Sequence, residues 1–272
     1  MYQFEKNTMH RIDNFMGRLV HKYYKVIGDL NCTAYITREP VRYEDRFTGE
    51  KKDLKAGDHW GDLFDCAWMH FTGEIPAESQ GENLVLLIDV SGEGLCYDEK
   101  RGPLTGLTHG SVVHEFGSVR KHVVPLDLLG TKDGRIDLWV DAGCNDLFGN
   151  YVDSGDLKEA FVAVLYPELR AFYYDFYTLR EAFHCMEEGP RRSSIIRALN
   201  DSINVFYDDT EEEAKHARKI LEKELAKVGG TPSLTVNFIG NAHIDLAWLW
   251  PIRETIRKGA RTLSTVDQLM DR

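Results

Sequence analysis

Apolar positions along the chain change their period several times, and each change predicts a change of architecture. Over residues 8–24, Ile12, Phe15, Met16, Leu19, Val20 and Tyr23 recur at three- and four-residue steps, the spacing of an amphipathic helix that lies on another domain. From about 30 to 166 the apolar residues fall instead in short runs bounded by Gly, Pro, Asp and Ser. NLVLLIDV (83–90), SVVHEF (111–116), KHVVPL (121–126), RIDLWVDAG (135–143) and AFVAVLY (160–166) are the clearest. Turns such as Ser91-Gly92, Gly102-Pro103 and Asp133-Gly134 separate them and no long helical stretch intervenes. The block therefore predicts an antiparallel β-sandwich of jelly-roll type.

Pro167 stands where a helix can begin, and helical spacing then continues to about 228 in three segments. Leu169, Phe172, Phe176, Leu179 and Phe183 mark the first, and Ile195, Ile196, Leu199, Ile203 and Phe206 the second. In the third, Thr210 and Glu213 have the spacing of a capping box. Ala214, Ala217, Leu221, Leu225 and Val228 follow along one face, and Gly229-Gly230 ends the helix. After Thr231-Pro232, SLTVNFIG reads as a buried strand, and the residues from Pro251 resume helical spacing through Ile256, Ala260, Leu263, Val266 and Met270. One βα unit cannot bury its own strand, so this last piece expects sheet partners that the sequence does not supply, and the end at Arg272 reads as a truncation. The expected organisation is an amino-terminal helix (1–29), a β-sandwich (30–166), a helical spacer (167–230) and a truncated βα piece (231–272). The fold class is thus multidomain, β plus α.

Charge and composition narrow the partners. The formal net charge is −11 and no Lys/Arg cluster tracks a phosphate backbone, which disfavours nucleic acid and anionic membrane surfaces. The longest apolar run, Leu84 to Val90, is broken at Asp89, far short of a spanning helix. The first residues lack the basic cluster, apolar stretch and small-residue cleavage site of a signal peptide. Five scattered cysteines, Cys32, Cys66, Cys96, Cys144 and Cys185, form no CxxC pair and read as reduced core thiols of a cytoplasmic protein.

Functional residue types concentrate in GNAHIDLAWLWP (240–251). His243 and Asp245 are two apart at the end of the expected strand, so both side chains would face one way, and an imidazole nitrogen with a carboxylate oxygen suits Zn2+. By spacing alone, a core histidine beside a helix-capping aspartate fits equally well. Elsewhere, the aromatic run AFYYDFYTLREAF (171–183) has the helical spacing of a domain-interface core. Arg253 and Arg257 read as solvated residues that pair with Glu254 or cap the helix. In the sandwich, Trp60, Trp68 and Glu93 are candidate ligand contacts, although sandwich cores also hold Trp.

The segment NAHIDLAWLWPIRET resembles the one that opens the catalytic domain of family 38 α-mannosidases, where an H-x-D pair begins a zinc site and a Trp follows three residues after the Asp. His243 and Asp245 match the ligand positions, and Trp248 matches the aromatic that offers a flat face to the sugar, with Trp250 left to packing. The order sandwich, helices, motif is similar to the front of the cytosolic and bacterial members. The resemblance implies a retaining glycosidase with a seven-stranded β/α barrel. In it zinc grips the C2 and C3 hydroxyls of a terminal mannose, and an Asp nucleophile forms a glycosyl-enzyme. Its substrates would be mannose-containing glycans or oligosaccharides, and homo-oligomers are compatible with it. The nucleophile, the general acid and the remaining zinc ligands are expected beyond Arg272. Glu254, Asp267 and Asp271 are assigned to the surface of the last helix, without a catalytic role, and the chain alone is expected to be inactive. The other reading is a non-catalytic sandwich and helical module for carbohydrate binding or subunit assembly.

Overall fold

The computed structural model describes residues 3–98, 100, 102–109, 120–129, 134–145, 155–227, 235–237 and 239–271. The expected strand 111–116 and the Gly229-Gly230 helix stop lie outside them. The chain divides into two compact units, one formed by Met1–Lys25 with Val164–Phe238 and the other by Val26–Ala163 with Ile239–Arg272.

In the first unit, helix α1 (Gln3–Leu19) ends five residues before the predicted limit. Tyr24–Asp29, most of which belongs to the second unit, is strand β1 rather than the tail of that helix, because it finds a hydrogen-bonded sheet neighbour. The rest of the unit is α2 (Pro167–Cys185), α3 (Pro190–Ile203) and α4 (Glu211–Leu225), with a proline at the start of both α2 and α3, where its missing N–H costs nothing. The apolar stripes read from the sequence converge on one core. Phe15, Phe172, Phe176 and Phe206 meet with ring centroids 5.3–5.9 Å apart, so the aromatic stripe of α2 is core, while off-stripe Tyr174 and Tyr177 are exposed. At the start of α4 the Glu213 N–H donates to Thr210 Oγ1 at 3.2 Å, and the Glu213 carboxylate accepts from the Thr210 and Asp208 N–H groups. Thr210→Ala removes this reciprocal cap and is expected to cost about 1 kcal/mol, read as a lower urea midpoint with unchanged m-value.

The second unit is the sandwich. Its strands are β2 (Asn31–Thr37), β3 (Glu50–Leu54), β4 (Cys66–Glu74), β5 (Leu84–Asp89), β6 (Glu93–Tyr97), β7 (Pro103–Thr108), β8 (Val123–Pro125), β9 (Arg135–Gly143) and β10 (Glu159–Leu165). They form a four-stranded sheet, β1-β10-β5-β8, and a six-stranded sheet, β3-β2-β4-β9-β6-β7. The pairings β2–β3, β2–β4, β4–β9, β6–β7, β6–β9 and β5–β8 are antiparallel. Period two sorts the faces. Along β9, Ile136, Leu138, Val140 and Ala142 point into the core, where Phe71, Met69 and Ala67 of β4 stand opposite the last three. Leu86, Ile88 and Val162 face them from the four-stranded sheet. The alternate residues of the six-stranded sheet, Tyr35, Trp68, His70, Tyr97, Trp139 and Asp141, lie on its outer face.

Part of that outer face is closed by a 3-10 segment, Tyr43–Thr48. The Arg46 guanidinium lies 3.9 Å from the Tyr43 ring, 4.2 Å from Phe47 and 4.6 Å from Trp139, and His70 stacks on Trp139 at 4.2 Å. The end formed by β6 and β7 is covered by the last helix, α5 (Ile252–Met270). All five cysteines are free thiols, but only four are buried; Cys185, at the end of α2, is exposed. Burial pushes the Cys66 thiol up to about 11 and those of Cys32 and Cys96 up to about 12, so none of these three is a thiolate at neutral pH.

Candidate metal pair and its support

Helix α5 forms where its apolar spacing predicts, yet it turns the opposite face inward. Ile252, Ile256, Leu263, Leu269 and Met270 are all more than 60% exposed, whereas Glu254, Arg257, Lys258 and Arg261 are buried. Those four lie at i, i+3, i+4 and i+7, a single stripe. Charges removed from water require partners, and the outer face of the sheet supplies them. Arg257 pairs with Asp141 at 2.5 Å and with Glu254 at 2.9 Å, and directs a second donor to Cys66 Sγ at 3.4 Å. The Glu93 carboxylate takes the Lys258 ammonium, the Arg261 guanidinium at 3.0 Å and the Asn145 amide at 2.8 Å. Arg261 also reaches Glu254, which closes the network.

Two glycines allow the approach. A Cβ on Gly143 would sit 2.7 Å from Arg257 Nη1, and one on Gly106 2.9 Å from Thr265 Oγ1, which accepts the Gly106 N–H at 3.0 Å. The shifts follow from this packing. Burial pushes the Glu254 carboxyl up, but Arg261 and Arg257 outweigh it and hold it below the usual carboxylate range. Burial lowers Lys258, and Glu93 offsets only part of that.

Several readings of the sequence are corrected here. Glu254 and Arg257 are buried rather than solvated, because the sandwich covers the charged stripe of the helix. Arg253 stays partly exposed and pairs with Glu39 at 3.1 Å, while Asp267 and Asp271 are exposed as expected. Glu93 is neutralised from within the protein, and Trp60 and Trp68 are buried with their indole N–H groups donated to the Val90 and Val41 carbonyls. None of the three is presented to a ligand. The expected strand 233–240 does not form among the described residues 235–237 and 239–240, and Val236 and Ile239 are exposed. A strand needs neighbours to take its backbone hydrogen bonds, and none of the described strands pairs with these residues.

His243 and Asp245 nevertheless converge. The His243 Nε2 lies 3.2 Å from Asp245 Oδ1, with both side chains open to solvent. The segment after them is tethered to α5: the Trp250 indole N–H donates to Thr255 Oγ1 at 3.0 Å, and the Thr255 hydroxyl donates to the Leu246 carbonyl. Trp250 is buried beneath the Lys258 ammonium, 4.4 Å from its ring, and Trp248, edge-on to Trp250, is 57% exposed. The pair offers one imidazole nitrogen and one carboxylate oxygen, a donor set that zinc accepts, but catalytic zinc takes three protein ligands. Among the described residues no group of three His, Cys, Asp or Glu side chains is placed to hold a metal ion.

A second buried polar cluster lies in the sandwich. Asp89 accepts from the Ser91 N–H at 2.8 Å, His109 Nδ1 at 2.8 Å and Arg120 Nε at 2.9 Å. Arg120 continues to Glu159 at 2.6 Å, which also takes His122 Nδ1 at 2.5 Å.

Residues 28–164 match the family described as the jelly roll domain of α-mannosidase, and residues 233–272 match the glycosyl hydrolases family 38 N-terminal domain. Human "Alpha-mannosidase 2C1" is 26% identical over 288 residues, covering 98% of this chain and 27% of that protein. The "Alpha-mannosidase" of Saccharomyces cerevisiae is 28% identical over 248 residues, covering 82% and 22%, and "Alpha-mannosidase G" of Dictyostelium discoideum is 24% identical over 294 residues, covering 100% and 26%. The chain spans about a quarter of the length of these curated relatives. No helix of the described residues is long and apolar enough to cross a membrane.

Proposed function

Because this chain belongs to the α-mannosidase family through its jelly-roll domain, we propose that it serves in a longer, zinc-dependent, retaining α-mannosidase acting on terminal α-linked mannose of glycans or oligosaccharides. The observation that carries the reading is the 3.2 Å approach of His243 Nε2 and Asp245 Oδ1 inside the segment matched by the family 38 N-terminal domain. In this reading His243 and Asp245 are two of the zinc ligands, and Trp248, left exposed beside them, is the apolar platform for a sugar face. Bound zinc would supply Lewis acidity and orient vicinal hydroxyls. The chain's own part is to hold an imidazole nitrogen beside a carboxylate oxygen and to keep an indole face clear for the sugar. The exposed apolar stripe of α5 supports a larger β/α domain around it, since such a stripe is ordinarily covered. Five free thiols support a reducing, cytoplasmic setting.

The test is hydrolysis of an aryl α-mannoside with Zn2+ present. Residues 1–272 alone are expected to show no turnover, for want of a nucleophile and acid beside the pair. In a form carrying the whole family 38 domain, His243→Ala and Asp245→Ala should each lower kcat/KM by about 100-fold or more. Wild-type activity in either variant removes the zinc assignment.

A further inference from the structure

We propose that Glu93 and Asp141, on the outer face of the sandwich, are positioning residues for the His243–Asp245 pair, acting through the register of α5. The purpose of the pair rests on the metal reading above; the mechanical link does not.

The link runs along two lines. Glu93 holds the Lys258 ammonium, and that ammonium lies 4.4 Å from the Trp250 ring, five residues after Asp245. Asp141 holds Arg257, Arg257 holds Glu254, and the residue next to Glu254 is Thr255, whose hydroxyl donates to the carbonyl of Leu246, the residue that follows Asp245. The contact is of a kind that sets register. An apolar helix face slides over an apolar sheet at little cost, but a shift of α5 by one turn, about 5.4 Å, would separate three buried cations from their carboxylates. Gly143 and Gly106 leave room for Arg257 and Thr265 at one register, since a Cβ at either would lie under 3.0 Å from those side chains.

The experiment uses the 272-residue chain with Glu93→Gln and Asp141→Asn, which preserve shape, and Asp137→Asn as a control on the same sheet face, where Asp137 meets His70 at 3.0 Å. Hydrogen exchange is followed at the α5 amides and the Trp250 indole, and the His243 imidazole signals are followed by NMR with and without added Zn2+ alone. Both network variants are expected to speed exchange of the α5 amides and the Trp250 indole at least tenfold, leave β4 and β9 protected, and shift the His243 signals. They should also raise the Zn2+ concentration that half-saturates the His243 response at least threefold, while Asp137→Asn matches wild type. Exchange within twofold of wild type overturns the proposal, as does faster exchange of α5 with His243 signals that do not move. If Zn2+ leaves the wild-type His243 signals unchanged, the metal reading falls, and the exchange and zinc-free His243 arms still decide the positioning. Loss of protection in β4 and β9 would mark a variant that has unfolded the sandwich; Lys258→Met, which cuts the Glu93 line from the helix side, then decides by the same readouts.

Discussion

Phe172→Ala is expected to lower the stability of the helical unit by about 4 kcal/mol, measured by urea denaturation followed through helical circular dichroism. Phe172 is fully buried and its ring lies 5.9 Å from Phe15, 5.9 Å from Phe176 and 5.3 Å from Phe206. Truncation removes the apolar area of one ring and leaves a cavity between rings on three elements, and relaxation of any one of them opens contacts with the others. The lost ring–ring geometry adds to the transfer cost. Tyr174→Ala, two residues away on the exposed side of the same helix, should change stability by less than about 0.5 kcal/mol. A loss under about 1 kcal/mol at Phe172 would show that the four rings are not a packed unit.

Asp89→Asn should cost about 2 kcal/mol at pH 7, because it removes the buried charged acceptor shared by the Ser91 N–H, His109 and Arg120, although Arg120 keeps Glu159. Burial raises the Asp89 carboxyl, but the His109 hydrogen bond, the charges of His109 and Arg120 and the Ser91 N–H together hold it below its ordinary 3.8. A carboxyl whose folded pKa is depressed contributes stability that is fully present above about 3.8 and disappears as the pH falls through the folded value. The gap between wild type and Asp89→Asn should therefore stay constant from pH 7 down to about 5 and close progressively below about 4. Stability curves of the two proteins at several pH values check this. A gap that closes between pH 7 and 5 instead would show that the Asp89 carboxyl is not held below its ordinary range.

The fold was legible wherever the buried face and the apolar face are the same. Phe172, Phe176, Leu179 and Phe183 recur at helical steps and are core; Ile136, Leu138, Val140 and Ala142 alternate and are core. In α5 the same reading located the helix and assigned its faces backwards. A stripe of Arg and Lys carries the ordinary signature of a solvated face, and nothing local announces that Glu93 and Asp141, far away in the chain, wait opposite it. The available signal was the stripe itself: Glu254 with Arg257, Lys258 and Arg261 on one side and five large apolar residues on the other gives a helix two faces that both want partners. The approach of His243 and Asp245 follows from their spacing alone. Two residues of spacing brought His243 and Asp245 together even though no strand forms beneath them, whereas the tether through Thr255 involves a hydroxyl ten residues from the pair that no periodicity marks.

The charged joint between α5 and the sandwich also bears on how such proteins are assembled over evolution. Surfaces that meet through apolar side chains are sticky when parted, so a domain built that way is hard to inherit or recombine alone. Stripped of α5, this sheet face would present Glu93, Asp141 and the backbone of Gly106 and Gly143, groups that water accepts readily. A jelly roll with a hydratable seam can stand as a free module, acquire a neighbour through a few complementary charges, and exchange it again without passing through an aggregating ancestor.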